Sequence, residues 1–386
     1  MFFFLSGLFF FDTRANRRIS AARWKSAVLL ATIAAGSGNT MAFTIEEMPG
    51  TAFLAFPGAG HFLAQELEER LGLSVRDAQE YGDLLYFPAL SPEECAAKSG
   101  GARESAAYWS ACTLYKPLRI CFGSVGEAAS ALRSIQRNWA FYPLSLFRRG
   151  SLILQKLPYI HRGIKTFPYE IPASPMGFFC LLDRNAMLAS AATSSPLPLG
   201  LLELEEDHEN PPSRAYRKLQ EALCRSHFLL GSPFPAANER GLDAGACPGG
   251  WTWVLAEAGC SVLAVDRTPL HPSLMRRRGV SFLRHDAFTL PPQELGEFDW
   301  VLSDVICYPE RLLDWVHRWL DSGLCRRMIC TVKMQGAADW GLLEEFARLP
   351  DSRLIHLNTN KHELTFLHVR NPLPGTEENS RTAQNA

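Results

Sequence analysis

The chain has 386 residues, of which 47% are apolar and 20% charged, and its formal net charge is −1. This composition excludes a disordered or collagen-like protein, and the length allows two domains, each with its own core. A balanced overall charge neither demands nor excludes a nucleic-acid partner, so local charge carries that question.

The first forty residues are unlike the rest. MFFFLSGLFFF (1–11) is too short to span a bilayer, and its charges follow the apolar run, whereas residues 14–36 place a basic stretch before a short apolar run, as signal peptides do. Everything downstream reads as a cytoplasmic enzyme with no membrane partner. Residues 1–40 are therefore expected to be a leader or an over-extended start, with Met41 as the functional beginning.

From Thr51 the pattern TAFLAFPGAGHFLAQELEERLG predicts strand, turn and amphipathic helix, and DLLYFPAL (83–90) predicts a second strand. Residues 101–165 carry Arg103, Lys116, Arg119, Arg133, Arg137, Arg148, Arg149, Lys156, Arg162 and Lys165 against Glu104 and Glu127. Tyr108, Trp109, Tyr115, Phe122, Trp139, Phe141, Tyr142 and Phe147 are interleaved with them. Such a stretch can grip a phosphate backbone and stack on bases, or be a solvated face with its own core aromatics. Residues 194–212 combine Pro, Gly and an acidic run, the composition of a boundary, with the linker itself at 201–212. No internal repeat is present, and residues 371–386 are expected to be a disordered tail.

Beyond this boundary short apolar strands alternate with helical segments: 241–246, 261–266, 281–286, 298–305, 326–334, 352–357 and 363–369. Near-continuous Val, Ile and Leu runs spaced by helices predict a mostly parallel sheet covered on both faces, a doubly wound α/β domain with a late hairpin. None of the ten cysteines is spaced as CxxC, which favours reduced, buried thiols over a disulfide framework or a zinc site.

The stretch GLDAGACPGGWTW (241–253) runs from a strand into a glycine-rich turn. It is neither GxGxxG nor a P-loop, so the glycines alone leave a ligand turn and a packing turn both open. Asp266 ends the next strand about twenty residues on, where a carboxylate can meet ribose hydroxyls, and Asp286 ends the third, where it can face an adenine edge. Two strand-end aspartates beside a turn without a phosphate fingerprint point to S-adenosylmethionine rather than a dinucleotide.

DAGACPGGWT resembles the S-adenosylmethionine loop of the FtsJ-like RNA ribose 2′-O-methyltransferases, a family with a Lys-Asp-Lys-Glu tetrad. SRAYRKLQEA (213–222) is similar to the family's leading helix and places the first lysine at Lys218. VLSDV places the aspartate at Asp304, TVKMQG the second lysine at Lys333, and NKHELTF the glutamate at Glu363. GACPGGWTW, SLMRRRGVSFLRHDAF and WLDSGLCR resemble the subgroup acting on a cytidine of large-subunit (23S) ribosomal RNA. The resemblance is specific over 211–370, looser over 51–200, where that subgroup has a THUMP-like RNA-binding domain, and absent from 1–40.

It implies a Rossmann-like class I methyltransferase domain at 213–370 behind an α+β THUMP-like region at 41–200. The implied cofactor contacts are Asp243, Gly245, Cys247, Pro248, Gly249, Gly250, Trp251, Asp266, Asp286 and Asp304. The implied partner is 23S ribosomal RNA, naked or in a precursor, met by a monomer. No metal is implied, since the methyl donor is already cationic and its leaving group neutral. His285 and His362 are assigned no role.

The chemistry explains these residue types. A ribose 2′-hydroxyl is a poor nucleophile, so the enzyme must align oxygen, carbon and sulfur and remove a proton as the bond forms. An ordinary lysine, with a pKa near ~10.4, is protonated at neutral pH. Burial and the second cation, Lys218, oppose protonation of Lys333, while Asp304 and Glu363 favour it. Lys333 is thus expected to be the base or the hydroxyl-orienting group, with Asp304 positioning it and Lys218 and Glu363 holding the ribose. Lys218 flanks the apolar stripe Ala215, Leu219, Ala222, Leu223 and is expected to reach over a domain edge. The alternatives are a non-catalytic RNA-binding assembly factor that retained the fold, or an enzyme acting on another RNA such as tRNA or a transcript cap.

Overall fold

Alternation of burial along the strands explains the architecture of the C-terminal half. In the computed structural model, which describes residues 43–97, 105–160, 163–174 and 176–370, Trp300 and Leu302 face one apolar layer and Val301 the other. Ile329 likewise opposes Met328 and Cys330. A strand apolar on both faces needs helices on both faces. The expectations for residues 1–40, Met41, Arg103, Glu104, Arg162 and the tail 371–386 lie outside the described residues.

The N-terminal part contains two antiparallel-rich sheets. One has the order β3-β4-β2-β5, from β2 (Thr51–Ala55), β3 (Gln79–Tyr81), β4 (Leu84–Phe87) and β5 (Ser110–Leu114). The other has the order β1-β6-β9-β8-β7, from β1 (Phe43–Glu47), β6 (Leu118–Phe122), β7 (Trp139–Phe141), β8 (Gly177–Leu181) and β9 (Ala186–Ser190). Helices α1 (Gly60–Glu69), α2 (Pro92–Ala97), α3 (Val125–Ile135) and α4 (Phe147–Gln155) complete this part. The strand, turn and helix read from Thr51 are β2 and α1.

The aromatics of the basic stretch do not form a stacking platform. Trp109, Phe122 and Trp139 are buried, Tyr108, Tyr115, Phe141 and Tyr142 are half-buried, and Phe147 is exposed. Phe122 and Trp139 lie on the inward side of their strands, where alternation sends them into the core beneath α3. The cations behave differently: Lys116, Arg119, Arg133, Arg137, Arg148 and Lys156 are exposed. Residues 194–212 lie against the body, with Ser194, Ser195, Leu197 and Leu202 buried and the Asp207 amide donating to Tyr216 Oη at 2.6 Å.

The second half is a seven-stranded sheet of order β12-β11-β10-β13-β14-β16-β15. Its strands are β10 (Arg240–Ala244), β11 (Ser261–Asp266), β12 (Val280–Arg284), β13 (Phe298–Ser303), β14 (Cys325–Lys333), β15 (Ser352–Ile355) and β16 (Glu363–Val369). All pair in parallel except β16, which runs antiparallel to both neighbours. Helices α5 (Tyr216–Leu230) and α6 (Gly250–Glu257) cover one face. The short α7 (Pro272–Met275) and α8 (Pro292–Leu295) lie in connections, while α9 (Pro309–Ser322) and α10 (Trp340–Arg348) cover the other face. The third strand stops at Arg284, short of Asp286, because the Asp286 side chain accepts from the Phe288 amide and caps a 3₁₀ turn. No helix among the described residues is long and apolar enough to cross a membrane.

One apolar cluster continues from Phe53, Leu63 and Trp109 into Val301, Trp315 and Phe346, joining the halves. Trp109 meets Trp340 edge-on at 5.9 Å, and Phe62 stacks on His362 at 4.4 Å with 6° between ring planes. Glu66, fully buried on α1, fixes this junction by accepting from the amides of Tyr108 at 2.8 Å and Trp109 at 3.0 Å while pairing with Arg70. Truncation strands those amides and a guanidinium, so Glu66→Ala should lose about 3–5 kcal/mol of stability. Urea unfolding followed by tryptophan fluorescence checks this, and a loss below about 1 kcal/mol would show that the junction is not held by Glu66.

Candidate active site

In a parallel sheet the loops that follow the strands gather at their carboxyl edge, and ligands bind where the strand order reverses. Here that point lies between β10 and β13. Asp243 lies near the end of β10, Asp266 ends β11, Asp304 follows β13 and Lys333 ends β14. Because β16 is antiparallel, its first residue lies at the same edge, and Glu363 is the register partner of Lys333.

The four predicted charges meet there. Lys218 Nζ donates to Asp304 Oδ1 at 3.0 Å and pairs with Glu363 Oε1 at 2.7 Å. Lys333 Nζ lies 3.1 Å from the same Asp304 Oδ1 and donates to the Asp304 carbonyl oxygen at 2.5 Å. The four side chains are only 11–20% exposed. Burial alone would raise the Asp304 carboxyl, but the Lys218 and then the Lys333 charges outweigh it and hold it below the ordinary carboxylate range. Two cations face two anions, so no charge in the cluster is uncompensated.

Lys218 does not reach over a domain edge. Its neighbours Leu219, Ala222 and Leu223 bury against the sheet, and Lys218 itself is buried between two carboxylates. Adjacency to the apolar stripe carries a long side chain inward along it, with the ammonium at the carboxyl edge.

The glycine turn is held mainly by the protein itself. Gly245 and Gly249 have φ of +79° and +112°, a region that favours glycine. A Cβ on Gly249 would lie 2.3 Å from Leu274 Cδ1, one on Gly250 2.5 Å from Ser213 Oγ, and one on Gly245 2.9 Å from Val305 Cβ. Asp266 anchors the turn: its Oδ2 accepts from the Cys247 amide at 2.9 Å and its Oδ1 from the Thr268 amide at 2.8 Å. Pro248 follows Cys247 through a cis peptide bond. The Cys247 thiol donates to the Pro269 carbonyl oxygen at 3.4 Å. Trp251 departs from expectation, since its indole is buried in the core and donates to the Ala215 carbonyl at 3.0 Å, which leaves its ring no face for a ligand.

Asp286 is also already engaged. Its Oδ2 accepts from Arg267 at 2.5 Å and Arg311 at 3.0 Å, and its Oδ1 from the Phe288 amide at 3.0 Å. Burial pulls its carboxyl upward, but the Arg311 hydrogen bond and the Phe288 amide outweigh that and lower it. Sequence reading missed these two arginines. Arg267, directly after the strand-end Asp266, was the available signal, whereas Arg311 reaches the site only because α9 packs against β14 on the sheet. Among the described residues no three His, Cys, Asp or Glu side chains are grouped to hold a metal ion.

This fold and site define an α/β methyltransferase, and residues 211–329 match the family model of FtsJ-like methyltransferases. "Ribosomal RNA large subunit methyltransferase M" of Xanthomonas oryzae pv. oryzae is 33% identical over 258 residues, 63% of this chain and 69% of the relative. The proteins of that name from Alkalilimnicola ehrlichii and Halorhodospira halophila are 38% identical over 163 residues and 40% over 152 residues. Those matches cover 42% and 39% of this chain, and 44% and 43% of the relatives. The chain belongs to the ribosomal RNA large subunit methyltransferase M family. It spans under half the length of the Alkalilimnicola and Halorhodospira relatives and just over two thirds of the Xanthomonas one.

Behind the turn, Asp243 is buried and accepts from Thr252 Oγ1 at 2.6 Å. Burial pushes its carboxyl up to about 7, the Thr252 bonds opposing and the Asp304 and Asp266 charges assisting. A folded-state pKa above the unfolded value means that the native chain holds an extra proton between about pH 4 and about pH 7, so this contribution to stability is lost as pH rises through that window. Asp243→Asn removes the dependence. Relative to the unsubstituted protein, its urea midpoint should rise between about pH 5 and about pH 8. A difference that stays constant over this range would mean that Asp243 is already ionised.

Proposed function

We propose that the chain transfers a methyl group from S-adenosylmethionine to a ribose 2′-hydroxyl of large-subunit (23S) ribosomal RNA, the ribose being that of a cytidine. The observation that carries this reading is the convergence of Lys218, Asp304, Lys333 and Glu363 at the carboxyl edge, with Asp304 Oδ1 shared by both lysines at 3.0 and 3.1 Å.

The donor set fits the cofactor. Asp266, at the end of β11, and Asp286, two residues past β12, flank a turn that has no lysine-anchored phosphate cradle, so it suits an adenosyl group attached to a sulfonium rather than a dinucleotide. Gly245, Cys247, Pro248, Gly249 and Gly250 would hold it with their main chain, and Asp243 and Asp304 would border it. When bound, the cofactor supplies a methyl group on cationic sulfur, which departs as a neutral thioether.

The chain's own residues act on the hydroxyl. Lys333 has its ammonium held by the Asp304 carboxylate and carbonyl, which fixes where it can meet the incoming 2′-oxygen. Lys218 is matched by Glu363 at 2.7 Å as well as by Asp304, so among the described residues the cation with fewer anionic partners is Lys333. That asymmetry favours Lys333 over Lys218 for the hydroxyl: as a neutral amine, its ammonium proton first released to solvent, it would orient the 2′-oxygen and take its proton. Lys218 and Glu363 hold the ribose and keep the cluster neutral.

RNA is the partner that the N-terminal part suits. No Asp or Glu occurs between Glu127 and Glu170, while Arg133, Arg137, Arg148 and Lys156 in that interval are exposed. A concentrated cationic surface on a chain of net charge −1 favours a polyanion. We assign this part the THUMP-like role of gripping RNA while 213–370 performs transfer. Free thiols at all ten cysteines fit work in the reducing cytoplasm.

Transfer of labelled methyl groups from S-adenosylmethionine to deproteinised large-subunit ribosomal RNA tests the proposal, with the product nucleotide identified by its resistance to alkaline cleavage. Lys333→Ala and Lys333→Arg should each lower kcat by about 10²- to 10⁴-fold while cofactor affinity stays near normal. Near-normal turnover in either variant would remove Lys333 from the proton-transfer role. Methyl groups found on a base, or RNA binding without transfer, would refute the ribose chemistry.

A further inference from the structure

The segment joining β13 to α9 carries two side chains that the chemistry above does not use. Ile306 is 78% exposed and Tyr308 65%, more than any other large apolar side chain described in the methyltransferase half, where Met275 and Leu283 follow at 44% and 37%. They lie two and four residues beyond Asp304 in an extended stretch whose alternate residues, Val305 and Cys307, are half-buried. Val305 closes on the Gly245 turn, which anchors the stretch. Period-two alternation thus carries a line from Asp304 to Ile306 to Tyr308, from the tetrad outward.

Tyr308 is rigidly presented. Pro309 opens α9, and a residue before proline is confined to extended conformations. Tyr308 has φ −65° and ψ 139°, within that region, so little backbone freedom remains to be lost when something covers its ring. One turn along α9, Arg311 is held by Asp286 at 3.0 Å with its guanidinium 5.2 Å from the Phe288 ring, and Arg267 shares the same carboxylate. Arg267, Asp286 and Arg311 together carry a net charge of +1, with Glu310 exposed on the first turn of α9 between Tyr308 and Arg311.

An exposed tyrosine and isoleucine adjoining a group that binds ribose, flanked by fixed arginines, match one nucleotide unit: a flat base to stack and a phosphate to attract. Resting on the RNA ribose reading above, we propose that Tyr308 and Ile306 form the ledge on which an unpaired base of the substrate strand stacks, holding its ribose at Lys333 and Asp304. Arg311 and Arg267 draw in the adjoining phosphate. Tyr308 and Ile306 are therefore substrate-positioning residues, and the ledge selects single-stranded or locally opened RNA.

The test compares Tyr308→Ala, Tyr308→Phe and Ile306→Ala in three measurements on the full chain: methyl transfer to deproteinised large-subunit ribosomal RNA, binding of a single-stranded oligocytidine 12-mer, and binding of S-adenosylhomocysteine. Tyr308→Ala should raise KM for RNA and weaken oligonucleotide binding by about 5- to 100-fold, the range of one base stacked on one aromatic ring. It should leave kcat and S-adenosylhomocysteine affinity nearly unchanged. Tyr308→Phe keeps the ring and should restore both RNA values, and Ile306→Ala should show the same pattern more weakly. Unchanged RNA affinity in Tyr308→Ala would overturn the ledge. So would an equal loss of S-adenosylhomocysteine binding, because the ring would then cover the cofactor. Failure of the underlying ribose reading shows separately, as absence of transfer by the unsubstituted protein, while the oligonucleotide arm still decides whether Tyr308 stacks a base.

Discussion

Lys218 brings an ammonium from a helix outside the sheet into contact with two carboxylates, one on each side of β14, and the geometry of the candidate site follows from that contact. Removing ions from water is unfavourable by several kcal/mol each, and only close pairing offsets it. The pairs at 3.0 Å to Asp304 and 2.7 Å to Glu363 meet that condition, and they tie α5 to the end of β13 and the start of β16 together. A buried carboxyl side chain on the same helix reinforces the tie: Glu221 accepts from the Asn358 amide at 3.1 Å, and Asn358 Nδ2 donates to the Leu202 carbonyl at 2.8 Å. The segment leading to Glu363 is therefore held by α5 and by the chain that precedes it, and Lys218 works as a structural clamp.

That clamp also explains how the two halves can act as one. His362, immediately before Glu363, carries Phe62 of α1 stacked on its ring, with Trp109 6.3 Å away. Burial and then the neighbouring His61 charge lower the pKa of His362, which favours the neutral ring that packs well against an aromatic face. The N-terminal half thus touches the residue next to the tetrad glutamate.

Much of the second half was legible because its strands are apolar on both faces and its charged residues stand at strand ends. Val301 between Trp300 and Leu302 is a pattern that only a doubly covered strand satisfies, and Lys333 and Glu363 fall into register once β16 reverses direction. The errors share one origin, since sequence shows a residue's neighbours along the chain and not those across space. Lys218 beside an apolar stripe read as a residue on an edge, yet its long methylene chain follows the stripe inward. The basic, aromatic stretch left base stacking and core aromatics both open, and at Phe122 and Trp139 alternation turns the rings into the core. Asp286 read as the end of the third strand, facing an adenine edge, and its bond to Arg311 was not legible because that residue lies 25 positions away in the chain.

The glycine turn shows where ligand discrimination has to reside. Positive φ requires glycine at 245 and 249, and Val305, Leu274 and Ser213 stand where side chains on the turn would go, so the turn's shape is set by the protein's own backbone and packing. A turn fixed by its own packing offers the same backbone to any ligand. On the function proposed above, selectivity falls to the groups around the turn: Asp266 at the end of β11, the Arg-clamped Asp286, and the segment after Asp304. Val305 belongs to both systems, since it fills the space beside Gly245 and begins the stretch that exposes Ile306 and Tyr308. A side chain at position 245 would push Val305 outward and shift that stretch relative to the lysines, which couples the shape of the turn to the geometry at Asp304.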